Sequence, residues 1–211
     1  MTSLATLLTL ADSRLPTGGH VHSGGVEEAV TSGLVVDLAT LRAFLRRRIR
    51  THGLVTASLA AAVHDGTLSI PVADHETDAR TPAPAARQAS RAQGRGLARL
   101  ARRVWPGDTW DALGTTPHLA VAAGAVGAAS GLTPDHTALS VVYTTMTGSA
   151  TAAQRLLALD PGDVAAITFE LSALCEQTAA EAAKELSDLS DPLLDALAQR
   201  HIERERPLFV S

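Results

Sequence analysis

Three times in its second half the chain sets a capping side chain directly before a proline: Thr133-Pro134, Asp160-Pro161 and Asp191-Pro192. A Thr or Asp oxygen at the N-cap accepts from the first free amides of a helix. Proline in the first turn has no N–H to leave unsatisfied, and its fixed φ already suits the helix. The same dipeptide inside a central strand would remove a ladder hydrogen bond, so these positions open helices. They predict helices over about 135–158, 162–186 and 192–204. No alternating run rich in β-branched residues stands out anywhere, so the fold class expected is all-α: one compact helical bundle of roughly eight to ten helices.

The first half reads the same way. Leu4, Leu7 and Leu8 have helical spacing, and the segment ends before a turn at Pro16 to Gly19. A second helix follows Gly25. Asp37 is a candidate N-cap for a run carrying Leu38, Leu41, Leu45, Ile49, Val55, Leu59 and Val63, broken near Gly53. Turn residues, closely spaced prolines and acidic side chains over 65–85 predict a mostly looped, mobile region. A helix over about 85–104 then ends at Pro106. Glycines 124, 127 and 131 would weaken an exposed helix by roughly 1 kcal/mol each, and are expected where helices touch closely.

Composition narrows the core and the class. With 45 % hydrophobic but only 3 % aromatic residues, the interior must be built from Ala, Leu and Val. The 211 residues suit a single domain, 1–211. A net charge of −4 argues against a surface matched as a whole to nucleic acid. Cys175 is the only cysteine, which excludes an internal disulfide framework. The N-terminus lacks the order of a secretory signal, and no apolar run approaches the roughly 20 residues of a membrane span, so a cytoplasmic protein is expected.

The stretch LPTGGHVHSGGVEEAV, residues 15–30, is the densest in chemistry. His20 and His22 could offer imidazoles to a metal with Glu27 or Glu28, but i,i+2 spacing directs them apart and fixes no third ligand. The alternative is architectural: glycines shape a turn, Ser23 caps the next helix, and the Glu pair lies near its favourable end. No phosphate-loop motif is present. Arginines 87, 91, 95, 99 and 103 form an i,i+4 stripe that could face solvent, an acidic partner or a nucleic-acid backbone. Neither GxSxG nor HExxH occurs, Cys175 lies in an apolar-periodic run, and Tyr143 and Met146 read as core. No enzyme is expected. A dimeric all-α DNA-binding regulator remains an alternative through the arginine stripe.

Taken in order, four motifs resemble the urease accessory protein UreF family, in wording closest to its actinobacterial, mycobacterial-type members. The first is Leu15, Pro16, Gly18, Ser23, Gly25 and Glu27; the second is Ser90, Gln93, Gly94 and Leu97. The third runs through His118, Gly124, Gly127, Tyr143 and Arg155, and the last is the tail DPLLDALAQRHIERERPLFVS. The resemblance implies a homodimeric, non-enzymatic nickel-insertion chaperone that binds UreH/UreD and the GTPase UreG and acts on apo-urease. It implies no stably bound cofactor, nickel being handled by the complex, and neither nucleic acid nor membrane as partner. It places Ser23, Gly25 and Glu27 on the dimer and GTPase side. Arg206, Leu208, Phe209 and Ser211 fall in a partner-docking tail over about 201–211. His20 and His22 are then candidate transient nickel contacts. Two positions depart from the family pattern: Gly24 where relatives often carry a large side chain, and Pro207 where an arginine precedes Leu-Phe.

Overall fold

The computed structural model describes residues 4–107, 110–189, 191–205 and 207–211. Among these the chain is helical throughout, with no strand. In order the helices are α1 (Leu4–Leu10), α2 (Val26–Thr31), α3 (Leu38–Arg48), α4 (Leu54–His64), α5 (Ile70–Ala79) and α6 (Pro84–Val104). Then follow α7 (Leu119–Ala129), α8 (Pro134–Leu157), α9 (Pro161–Glu170), α10 (Ser172–Ala182) and α11 (Pro192–His201). Among the described residues no helix is long and apolar enough to cross a membrane.

The caps work as their chemistry dictates. Thr133 accepts from the His136 amide, Asp160 from Gly162 and Asp163, and Asp191 from Leu193 and Leu194. Asp37 and Thr40 form a reciprocal capping box: the Thr40 amide donates to Asp37 at 2.8 Å and the Asp37 amide to the Thr40 hydroxyl at 3.0 Å.

Helix α8 lies at the centre with α4, which packs against α7, α8 and α10. Around them are buried Leu41, Leu45, Ile49, Met146, Leu171 and Leu197, with alanines at 57, 60, 138, 150 and 153 letting backbones approach. At Gly124 a Cβ would strike Val63 and the Ala60 carbonyl, and at Gly127 it would strike Thr137. These two are close-contact glycines. Gly131 is not: it adopts a left-handed φ of 72° in open space just past α7.

Several expectations change. The region read as loop over 65–85 contains α5, because Pro71 occupies the first turn, where it costs nothing, and Ala73 and Thr77 bury one face. The segment expected as one helix over 162–186 divides at Leu171. That buried turn lets α9 lie on α3 and α8 while α10 turns onto α4 and α8. No break occurs at Gly53; residues Ile49–Gly53 form a π-helical turn that joins α3 to α4. Helix α11 stops at His201, which turns inward. Met146 is core as expected, whereas Tyr143 is exposed, and Cys175 is buried with its thiol pushed up to about 11.

Candidate functional site: the seat of the C-terminal tail

The glycine-rich stretch near the N-terminus folds into a turn that receives the other end of the chain. Gly24 and Gly25 both take left-handed φ, 66° and 87°, which a β-carbon disfavours, and the backbone swings from the extended His22 directly into α2. Ser23 is buried with its polar groups engaged: its hydroxyl accepts from the Glu27 amide at 3.3 Å and its carbonyl from the Ser149 hydroxyl at 3.1 Å. The N-cap of α2 is Gly25 and not Ser23 as read from sequence, because the left-handed turn at Gly24 and Gly25 delays the helix to Val26; the Ser23 hydroxyl still receives one amide of its first turn.

Against this turn lies the tail. The Val210 amide donates to the Val21 carbonyl at 2.7 Å, the Ser23 amide to the Ser211 carbonyl at 2.5 Å, and the Ser211 hydroxyl meets His22 Nδ1 at 2.6 Å. Glu27, only 2 % exposed, is the anchor. Its carboxylate accepts from the Leu208 amide at 2.7 Å, the Phe209 amide at 3.0 Å and His201 Nε2 at 2.9 Å. Burial pushes the Glu27 carboxyl up, but His201 and the two amides outweigh it and hold the group below its ordinary value. Glu28 beside it faces Arg200 at 3.4 Å and Arg204 at 3.2 Å.

The side chains of the tail alternate in exposure. Phe209 is 6 % exposed and joins the core with Val26, Ala29 and Leu197, while Leu208 and Val210 are each 67 % exposed and face outward. The sequence separated a front motif from a tail motif, and the fold brings Ser23, Gly25, Glu27, Leu208, Phe209 and Ser211 together at one seat. Arg206 lies outside the described residues. Tail residues 207–211, expected as a partner-docking tail, are docked here on their own chain. His201 and Arg204 escaped sequence reasoning because no local pattern links them to acids some 170 positions away; only the opposed charges of VEEAV and HIERER hinted at it.

His20 is exposed and His22 is turned toward Ser211, while the Glu27 carboxylate is taken by the tail. Among the described residues, no third ligand group joins the two histidines. The potential ligand atoms that do come together belong to Asp74, Asp78 and His118. Arg91 spans both carboxylates at 2.9 Å, and the buried His118 ring uses one nitrogen on Ser90 at 3.0 Å and the other on Asp78 at 2.9 Å. A cation would have to displace that guanidinium, so the cluster reads as a brace between α5, α6 and α7. Ser90 also accepts from the Leu119 amide at 3.2 Å, which commits its hydroxyl to capping α7. The brace also breaks the arginine stripe: Arg91 is paired and Arg87 lies 4.0 Å from Asp78, leaving Arg95, Arg99 and Arg103 exposed.

The sequence model of the UreF family matches residues 35–172, a span that excludes both halves of the tail seat. Full-length relatives include them. The chain is 82 % identical over 214 residues to the urease accessory protein UreF of Mycolicibacterium vanbaalenii, with 100 % of both chains covered. It is 75 % identical to that of Mycobacterium marinum and 73 % to that of Mycobacterium tuberculosis, again over 100 % of each.

Proposed function

Because the chain belongs to the UreF family of urease accessory proteins, we propose that it is the scaffold on which UreH/UreD and the GTPase UreG are brought to apo-urease for nickel insertion. It is an accessory protein and not itself an enzyme. In this reading it acts in the cytoplasm as a homodimer, nickel is cargo of the complex, and no cofactor is held stably. The docked tail carries the proposal: Glu27 fixes the backbone of Leu208 and Phe209 and leaves Leu208 and Val210 outward as an apolar edge for UreH/UreD. Ser23 and Gly25, one layer beneath, support the dimer and GTPase side. Sharing one seat supplies a physical route for coupling, since a partner that pulls on the tail also loads the turn beneath it. The DNA-binding alternative loses ground, because the stripe it needed is partly neutralised by Asp74 and Asp78.

Co-purification with UreH/UreD and UreG tests the scaffold. The full-length chain is expected to retain both, and a chain lacking residues 206–211 to lose the ternary assembly. Retention of both by the shortened chain would reject the tail as docking edge, and retention of neither by the full chain would reject the scaffold.

A further inference from the structure

Arg48, the last residue of α3, is partly buried, its Nε fully so, and it has no acid of its own. Buried guanidinium groups are normally paired, because desolvating a charge costs several kcal/mol unless an opposite charge offsets it. Among the described residues Arg48 forms no ion pair. Its one hydrogen bond runs from Nη1 to the Gly24 carbonyl at 2.6 Å, and its buried Nε has no partner. Asp191, the carboxylate whose field reaches Arg48, is already held by Arg47 through both oxygens at 2.7 Å and by Thr51 at 3.0 Å. The guanidinium of Arg48 is left without a paired carboxylate.

That charge stands on the wall of a cavity of about 610 Å³, within the range of small-molecule sites. The π-helical turn 49–53 directly after Arg48 brings His52 to the same wall, and such turns recur at ligand sites. Thr145 on α8 and Arg155 also line it; among the described residues the Thr145 hydroxyl makes no hydrogen bond and Arg155 no ion pair. Gly24 completes the arrangement. A Cβ there would lie 2.5 Å from Arg48 Nη2 and 2.9 Å from the Ser149 hydroxyl, so only a glycine lets the backbone approach the guanidinium this closely.

We infer that this cavity binds a small oxyanion, a carboxylate or a phosphate, gripped by Nη2 of Arg48, with Thr145 and His52 as further donors. A guanidinium N–H donating to an anionic oxygen makes a charge-assisted hydrogen bond, stronger than a neutral one. The titration behaviour agrees: burial pushes Arg48 down to about 10, and burial with the Arg48 charge pushes His52 down to about 3. An anion between them relieves both. A partner protein's acidic side chain is the competing explanation.

The test uses the full chain in low-chloride buffer at constant ionic strength, titrated with sodium acetate in one arm and sodium phosphate in the other. A saturable rise in Tm is expected, absent in Arg48→Met and shifted at least tenfold to higher anion concentration in Arg48→Lys. The His52 ring signals should move with the same midpoint in the wild type, which keeps the proposal testable if Arg48→Met folds poorly. Saturation by acetate alone assigns a carboxylate, and by phosphate alone a phosphate. Non-saturating responses that are equal in wild type and Arg48→Met overturn the site. So does loss of UreH/UreD or UreG retention in Arg48→Met with no anion response in the wild type.

Discussion

Glu27 takes three donors on one buried carboxylate, and two of them are backbone amides of the tail. Replacing it with glutamine conserves shape but leaves one acceptor oxygen and turns an NH₂ toward groups that also donate. Leaving a buried donor unmatched costs about 1–3 kcal/mol. In Glu27→Gln, the Leu208 and Phe209 amides should therefore exchange roughly ten- to hundredfold faster with solvent deuterium, while α4 and α8 keep their protection. Unchanged exchange at those two amides would mean that Phe209 packing alone holds the tail. The sequence made Glu27 visible as a residue near a helix start, because that depends on the Ser23 spacing. Its true partners come from the far end of the chain, and periodicity carries no information across such a separation.

At the scale of elements, the boundaries set by local chemistry were legible. Asp or Thr before proline specifies a helix start through atoms within three residues, and all three such starts hold. Helix α5 was not legible, since its reason to exist is tertiary: Ala73 and Thr77 bury a face that is real only once α4 and α7 are beside it. The brace between α5, α6 and α7 was hidden for the same reason, although Ser90 and His118 each stood in a recognised motif. Glycine substitutions separate local from tertiary cause. A Cβ at Gly94 would sit 2.7 Å from the backbone carbonyl carbon of His118, which no rotamer change can relieve; at Gly148, inside α8, it would meet nothing within 4 Å. Gly94→Ala should cost about 1–3 kcal/mol by forcing α6 from α7. Gly148→Ala should gain up to about 1 kcal/mol from helix propensity. Thermal unfolding of the two variants should move Tm in opposite directions, and equal shifts would refute the tight α6–α7 approach.

For the whole molecule, acid is the stress that reaches every buried polar element together. Burial holds His22, His52, His64 and His118 below the ordinary histidine value of 6.5, so the folded chain resists taking up protons that the unfolded chain accepts. Each histidine thus contributes stability that is complete above that value and is lost as pH falls toward its folded value. Glu27, Asp78 and Asp191 also lie below their ordinary values, because hydrogen bonds from their partners outweigh burial. Their share is present above the ordinary carboxylate range and is lost at lower pH still. Urea denaturation followed from pH 8 to 4 should therefore show a plateau down to about 6.5, a first decline through the histidine range, and a steeper one near 4. A flat profile between pH 7 and 5 would contradict the burial of those imidazoles. Since the Glu27 carboxylate keeps its charge throughout the histidine decline, the tail should remain docked until the second phase. Release of Leu208 and Phe209 near neutral pH must then be driven by a partner competing for the seat, not by a proton.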